Sequence, residues 1–252
     1  MSFFSVDNLS INFGGIKAVD GVTFDVNKGD VFTIIGPNGA GKTTIFNLVS
    51  RIYQPTGGKL VFDGTDITNV PPHRIAALGI ARTFQNIELF EHATLLQNLL
   101  LARHAHKKSN FFSELMFLPS VRQMELEHRE AVEKAIDFLD LQQYRDSFIV
   151  NLPYGVRKVT ELARALCTDP KLLLLDEPSS GLNVEETEDM AFWIQDIKNL
   201  LGVTVLMVEH DMSLVSAVSD RVLALNYGRP LAMGTPGEVQ SHPEVIRAYL
   251  GG

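Results

Sequence analysis

The run Val31 to Ile35 is apolar but for Thr33. A glycine-rich stretch follows it, and then apolar residues at helical spacing (Ile45, Phe46, Leu48, Val49). That pattern predicts a buried strand, a loop and a helix. Ahead of it, residues 3 to 35 read as short strands separated by turns at Gly14-Gly15, Asp20-Gly21 and Lys28-Gly29-Asp30. Behind it, Pro55-Thr56-Gly57-Gly58 predicts a turn, and Lys59 to Phe62 with Asp63-Gly64 a small hairpin. Pro71-Pro72 opens a helix over His73 to Leu78, and Gly79 to Asn86 reads as a short strand ending at Gln85.

From about Thr94 to Thr168 the spacing turns helical. Thr94 is placed to cap a helix carrying Leu95, Leu96, Leu99, Leu100 and Leu101. Arg103 to Asn110 reads as a solvated turn, because His104 and His106 beside Lys107 and Lys108 make a poor metal site. Phe111-Phe112 and Met116-Phe117-Leu118 form a short apolar patch. A charged helix from Val121 to about Leu139 turns Met124, Leu126, Ala131, Ala135 and Phe138 inward. The segment Asn151 to Lys158 leads into a helix over Val159 to Leu166. This block predicts a helical subdomain inserted into an α/β core.

Four leucines, Leu172 to Leu175, then run into Asp176-Glu177-Pro178, the pattern of a central parallel strand buried on both faces. Val184 to Leu201 predicts a helix whose acidic first turn, Glu185 and Glu186, complements its dipole. Val203 to Val208 is a second buried strand, ending at Glu209-His210-Asp211. Arg221 to Leu225 and Pro230 to Met233 read as strands around Tyr227-Gly228. Short helices over Pro236 to Ser241 and Pro243 to Leu250 close the chain.

The chemistry concentrates where these strands end. Gly36-Pro37-Asn38-Gly39-Ala40-Gly41-Lys42-Thr43-Thr44, between a strand and a helix, is a P-loop. Its glycines let successive N–H groups point inward, and the helix adds its positive end. Lys42 is then placed to reach the β- and γ-phosphates of a nucleoside triphosphate, and the Thr43 hydroxyl to hold Mg²⁺. Asp176 ends its strand where open α/β sheets place ligands, as the natural second partner for that ion, with Glu177 one position further out. His210 ends its strand on the same presumed side. Phe13 reads from periodicity as a core aromatic and, alternatively, as a flat face for an adenine. Spacing alone assigns Gln85 no role.

Composition narrows the setting. The 252 residues carry a formal net charge of -8, which disfavours nucleic acid or an anionic membrane bound through bulk charge. A single cysteine, Cys167, excludes an internal disulfide and fits a reducing compartment. The first residues lack the pattern of a secretory signal, and no run reaches the ~18 apolar residues of a membrane span. Service to a membrane would therefore be peripheral.

Together these motifs resemble, in their order, the ATP-binding subunit of ABC transporters over essentially the whole chain. The resemblance implies one ATP-binding domain over 1–252: a P-loop core with an antiparallel β-subdomain (1–85 and 169–252) and a helical subdomain (86–168). It also implies ATP and Mg²⁺ as ligands, Phe13 as the adenine-stacking aromatic, Gln85 as an Mg²⁺ and water contact, and Glu177 as the catalytic carboxylate. His210 would touch the γ-phosphate, and Ser179 to Asn183 would form the loop between subunits. More narrowly, Phe13 to Val19, Arg82 to Gln85, Pro178 to Asn183, Gly234-Thr235-Pro236, the insert around 103–130 and the ending Ile246 to Gly251 resemble the ATPases of branched-chain amino-acid importers. Lipid or lipopolysaccharide exporters and soluble ATPases of the same class are the alternatives.

Expected partners are transmembrane permease subunits, a second ATP-binding subunit and, indirectly, a solute-binding protein, at the cytoplasmic face of the cell membrane. One departure stands out. Where the family reads Leu-Ser-Gly-Gly-Gln, in contact with the opposite subunit's ATP, this chain has Leu152-Pro153-Tyr154-Gly155-Val156. The serine hydroxyl is gone, and one hydrogen bond to a charged group is worth about 1.5–3 kcal/mol. A helix start that still offers backbone N–H groups remains.

Overall fold

The computed structural model describes residues 2–103 and 119–250. The elements are β1 (Phe4–Phe13), β2 (Ile16–Val26), β3 (Val31–Ile35), α1 (Lys42–Val49), β4 (Gly57–Phe62), β5 (Thr65–Asp66), α2 (Pro72–Ile75), β6 (Ile80–Arg82) and α3 (Leu95–Ala102). Then come α4 (Pro119–Phe138), α5 (Tyr154–Leu166), β7 (Leu172–Asp176), α6 (Val184–Asn199), β8 (Thr204–Val208), α7 (Met212–Val218), β9 (Arg221–Asn226), β10 (Arg229–Gly234), α8 (Pro236–Gln240) and α9 (Pro243–Leu250). They fall into two compact units, Met1–Gln85 with Lys171–Gly252, and Asn86–Pro170.

The first unit holds two sheets. An antiparallel sheet runs β2-β1-β4-β5, and a six-stranded sheet runs β10-β9-β3-β8-β7-β6. In the second sheet β3 is parallel to both β8 and β9, β7 is parallel to β6 and β8, and only β10 runs antiparallel. All five residues of β3, β7 and β8 are buried, as unbroken apolar runs in a covered parallel sheet should be. One apolar cluster joins the sheets to α1: Phe4, Phe24, Phe32, Phe46 and Leu60 belong to it, with Phe24 and Phe32 stacked at 5.0 Å. Each such side chain contributes roughly 1.5–3 kcal/mol by leaving water.

The second unit is helical. Thr94 and Gln97 form a reciprocal capping box at the start of α3, the cap its sequence predicts. Arg103 binds the Cys167 carbonyl at 2.8 Å and pairs with Asp169 at 2.5 Å, tying the end of α3 to the end of α5. The expected turn at His104 to Asn110 and the apolar patch at Phe111 to Leu118 lie outside the described residues.

Leu126, expected to face inward, is 54% exposed, and Val132 and Ile136 join Ala135 as buried positions of α4. Four expectations about element bounds also need correction. Asp20-Gly21 is a bulge and not a turn: β2 runs through it, and the partners shift from Leu9↔Val22 to Ile11↔Val19. The extra residue is absorbed where the Gly21 N–H donates to the Ser10 hydroxyl at 2.9 Å. Strand β6 ends at Arg82, because its pairing with β7 stops there, so Gln85 lies three residues beyond it. Helix α5 starts at Tyr154 instead of Val159, since Pro153 serves as its N-cap and leaves the next residues free to wind. The helix at His73 to Leu78 is an α-turn followed by a 3₁₀ turn over Ala76–Leu78.

Candidate functional site

Strand β3 delivers Gly36 to Thr44 at its carboxyl end. Gly41 caps α1 at φ 99°, and a Cβ there would lie 2.7 Å from the Ala18 carbonyl oxygen, so only glycine fits. No side chain caps this helix and no acid occupies its first turn, which leaves its positive end to an anion. Lys42 folds back on its own loop, its Nζ donating to the carbonyls of Gly36 (2.6 Å) and Pro37 (3.2 Å). Burial lowers its pKa, against the opposing pull of Glu177, Asp176 and Glu209.

The loop borders a cleft of about 420 Å³, lined by Asn38 to Thr44 together with Ile16, Lys17, Gln85, Glu177 and Tyr227. Gly228 holds the cleft's edge. Its N–H donates to the Ala40 carbonyl and its own carbonyl accepts from the Asp20 N–H, both at 2.9 Å. Phe13 is 45% exposed and meets Tyr53 edge-on at 5.2 Å; it does not itself line the cleft.

Strands β7 and β8 bring the polar groups. Asp176 is 3% exposed; its Oδ2 lies 2.7 Å from the Arg82 guanidinium, and its Oδ1 has no hydrogen-bond partner among the described residues. Glu177 adopts φ 50°, with its N–H on the Val208 carbonyl at 2.9 Å. The Gln85 amide Nε2 donates to Glu177 Oε2 at 2.8 Å, and His210 Nδ1 lies 3.9 Å from the same oxygen. Gln85 and His210 therefore converge on the Glu177 carboxylate.

Glu209 is a polar residue that the sequence reading passed over. It is fully buried and accepts from the Ser179 N–H (2.9 Å) and hydroxyl (2.5 Å), the His210 N–H (2.6 Å) and the Asp211 N–H (3.0 Å). It fixes the loop after β7 to the loop after β8. An acid closing an apolar strand directly before His210 was the available signal.

The residues fit Mg²⁺. Thr43, Gln85 and Asp176 offer a hydroxyl, an amide and a carboxylate, the hard oxygen ligands that ion takes, and Asp176 Oδ1 is a buried acceptor lacking a partner. Pro153, Tyr154 and Gly155 lie in the helical unit, where Pro153 caps α5 without a side-chain hydrogen bond and Gly155 is buried.

Comparisons with known proteins give the family. Residues 19–180 match the family model described as ABC transporter, and residues 229–252 match that of the branched-chain amino acid ATP-binding cassette transporter. The chain belongs to the ABC transporter family, and within it is an ATP-binding, ATP-hydrolysing subunit. It is 44% identical to the high-affinity branched-chain amino acid transport ATP-binding protein BraF of Pseudomonas aeruginosa, over 98% of this chain and 96% of that one. It is 40% identical to LivG of Escherichia coli, over 98% and 97% of the two chains. Among solved structures, the ADP conformation of MJ1267, an ATP-binding cassette of an ABC transporter, superposes over 100% of both chains with TM-score 0.87 and 32% identity.

Proposed function

We propose that this chain hydrolyses ATP to energise an importer for branched-chain or related amino acids, amides or small carboxylates, at the cytoplasmic face of the cell membrane. The chemistry rests on the convergence of Gln85 and His210 on Glu177 beside the P-loop. Import and its substrate class rest on the match of residues 229–252 and on the names of the relatives.

In this reading Phe13 stacks on the adenine, while the N–H groups of Gly36 to Thr44 cradle the phosphates. Lys42 leaves its loop carbonyls to bind the β- and γ-phosphates. Glu177 orients the attacking water and takes its proton, and His210 holds the γ-phosphate in line. Thr43, Gln85 and Asp176 would hold Mg²⁺, which when bound supplies positive charge to the phosphate oxygens.

Each ATP is sandwiched between one subunit's P-loop and the other's signature helix. With Pro153 and Tyr154 at that helix start, a different second ATP-binding subunit supplies the fuller signature to this chain's P-loop. Permease subunits bind the pair, and a solute-binding protein delivers the substrate.

Affinity purification from native membranes in mild detergent tests the assignment. Two multi-span permeases, a second ATPase and a solute-binding protein are expected to copurify. Recovery with ribosomes or DNA would overturn transport and leave ATP hydrolysis standing. Full-rate, cooperative hydrolysis by the isolated chain as a homodimer would overturn the mixed pair.

A further inference from the structure

Asp176 is held by an arginine whose two terminal nitrogens are both engaged. Arg82 Nη2 binds Asp176 Oδ2 at 2.7 Å, and its Nη1 donates to Asn47 Oδ1 at 2.7 Å and to the Ser50 hydroxyl at 2.8 Å. The guanidinium carbon lies 5.5 Å from the Phe46 ring centre and 5.1 Å from that of Phe84. Both charged side chains are buried, at 8% and 3% exposure.

Asn47 sits on α1 and Ser50 caps its C-terminal end, so the helix that begins in the phosphate loop ends on this cation. A cation there also complements the helix dipole. A planar guanidinium with its donors in a fixed fork cannot swivel once two edges are committed. Its grip on Oδ2 therefore fixes the plane of the Asp176 carboxylate. The other oxygen, Oδ1, is left buried and without a partner among the described residues.

A positive charge next to a metal-binding carboxylate would be counterproductive if charge were its whole purpose, because it opposes the incoming cation. It serves a site that must stand ready before the cation arrives. A buried aspartate with neither oxygen held would turn toward another donor.

We infer that Arg82 is a positioning residue: anchored by Asn47 and Ser50, it presents Asp176 Oδ1 to the Mg²⁺ of bound ATP. This rests on the reading of Asp176 as an Mg²⁺ ligand. Orienting partners of ligating carboxylates typically govern metal affinity by 10–100-fold, and Arg82 stands in that relation to Asp176.

The test uses the purified full chain and a fluorescent, non-hydrolysable ATP analogue, titrated with Mg²⁺ and separately in EDTA. Arg82→Lys keeps the charge and loses the fork; Asn47→Ala keeps Arg82 and removes one anchor. The Mg²⁺ concentration at half-saturation is expected to rise about tenfold in Arg82→Lys and severalfold in Asn47→Ala, with analogue affinity in EDTA within about twofold of wild type. Asp176→Asn is the control for the ligand itself. If it shifts the Mg²⁺ midpoint and the other two do not, the role of Arg82 is overturned and that of Asp176 stands. If none of the three shifts it, both are overturned. Should Arg82→Lys melt early, Asn47→Ala decides alone, and an unchanged midpoint there overturns the proposal.

Discussion

The side-chain amide of Gln85 donates to Glu177 at 2.8 Å, so the carboxylate assigned to the attacking water is already engaged by a residue on another strand's extension. His210 stands 3.9 Å from the same oxygen. Two residues from separate strand ends thus orient the Glu177 carboxylate. Replacing Glu177 by Gln removes the proposed proton acceptor and keeps the shape. Turnover should fall roughly a hundred- to ten-thousandfold while ATP binding persists, as steady-state hydrolysis beside a nucleotide-binding titration would reveal. Unchanged turnover would contradict the assigned role.

Gly228 is a second point of leverage. It sits at φ +75°, and a Cβ would fall 2.5 Å from the Ala18 carbonyl oxygen. Gly228→Ala must therefore push apart the strand end and the P-loop it braces through Ala40. Denaturant melts should show about 1–3 kcal/mol of lost stability, accompanied by weaker ATP binding.

The P-loop, the Thr94 cap and the buried strands β3, β7 and β8 were legible in the sequence because each is decided by neighbours within a few positions. Asp20-Gly21 misled for the same reason: a β-bulge and a turn use the same residues, and only pairing across β1 distinguishes them. Glu209 and Arg82 were invisible in their roles. Their partners, Ser179 for one and Asn47 with Asp176 for the other, are brought to them by the sheet and not by the local chain.

Glu161 offers a pH-dependent test. Burial raises its pKa above the ordinary 4.5, against the Glu88 N–H bond and the charges of Arg164 and Lys158. An acid with a raised folded pKa binds more protons folded than unfolded, so its contribution to stability is complete below 4.5 and is lost as pH rises through the folded value. Glu161→Gln cannot titrate. Its stability relative to wild type should therefore improve from about pH 4 to about pH 7 in paired thermal melts. A constant difference would refute the shift.

Cys167 is buried, and that burial pushes its thiol from 9.0 up to about 12. The thiolate is the reactive form, so the folded protein should resist alkylation near pH 8 and react promptly in denaturant. Mass spectrometry of iodoacetamide-treated samples checks this. Rapid native labelling would mean that the Arg103 end of α3 opens readily.

Strand order has a consequence for how the protein is made. Strand β3, which leads into the P-loop, is complete at Ile35, yet both its neighbours, β8 and β9, begin only at Thr204 and Arg221. About 170 residues must leave the ribosome before that strand has an edge to pair with, at 5–20 residues per second a wait of roughly ten to thirty seconds. The nascent chain thus carries its most apolar strand unpaired through most of synthesis, which marks β3 as the segment most exposed to chaperones and to aggregation while the polypeptide is unfinished.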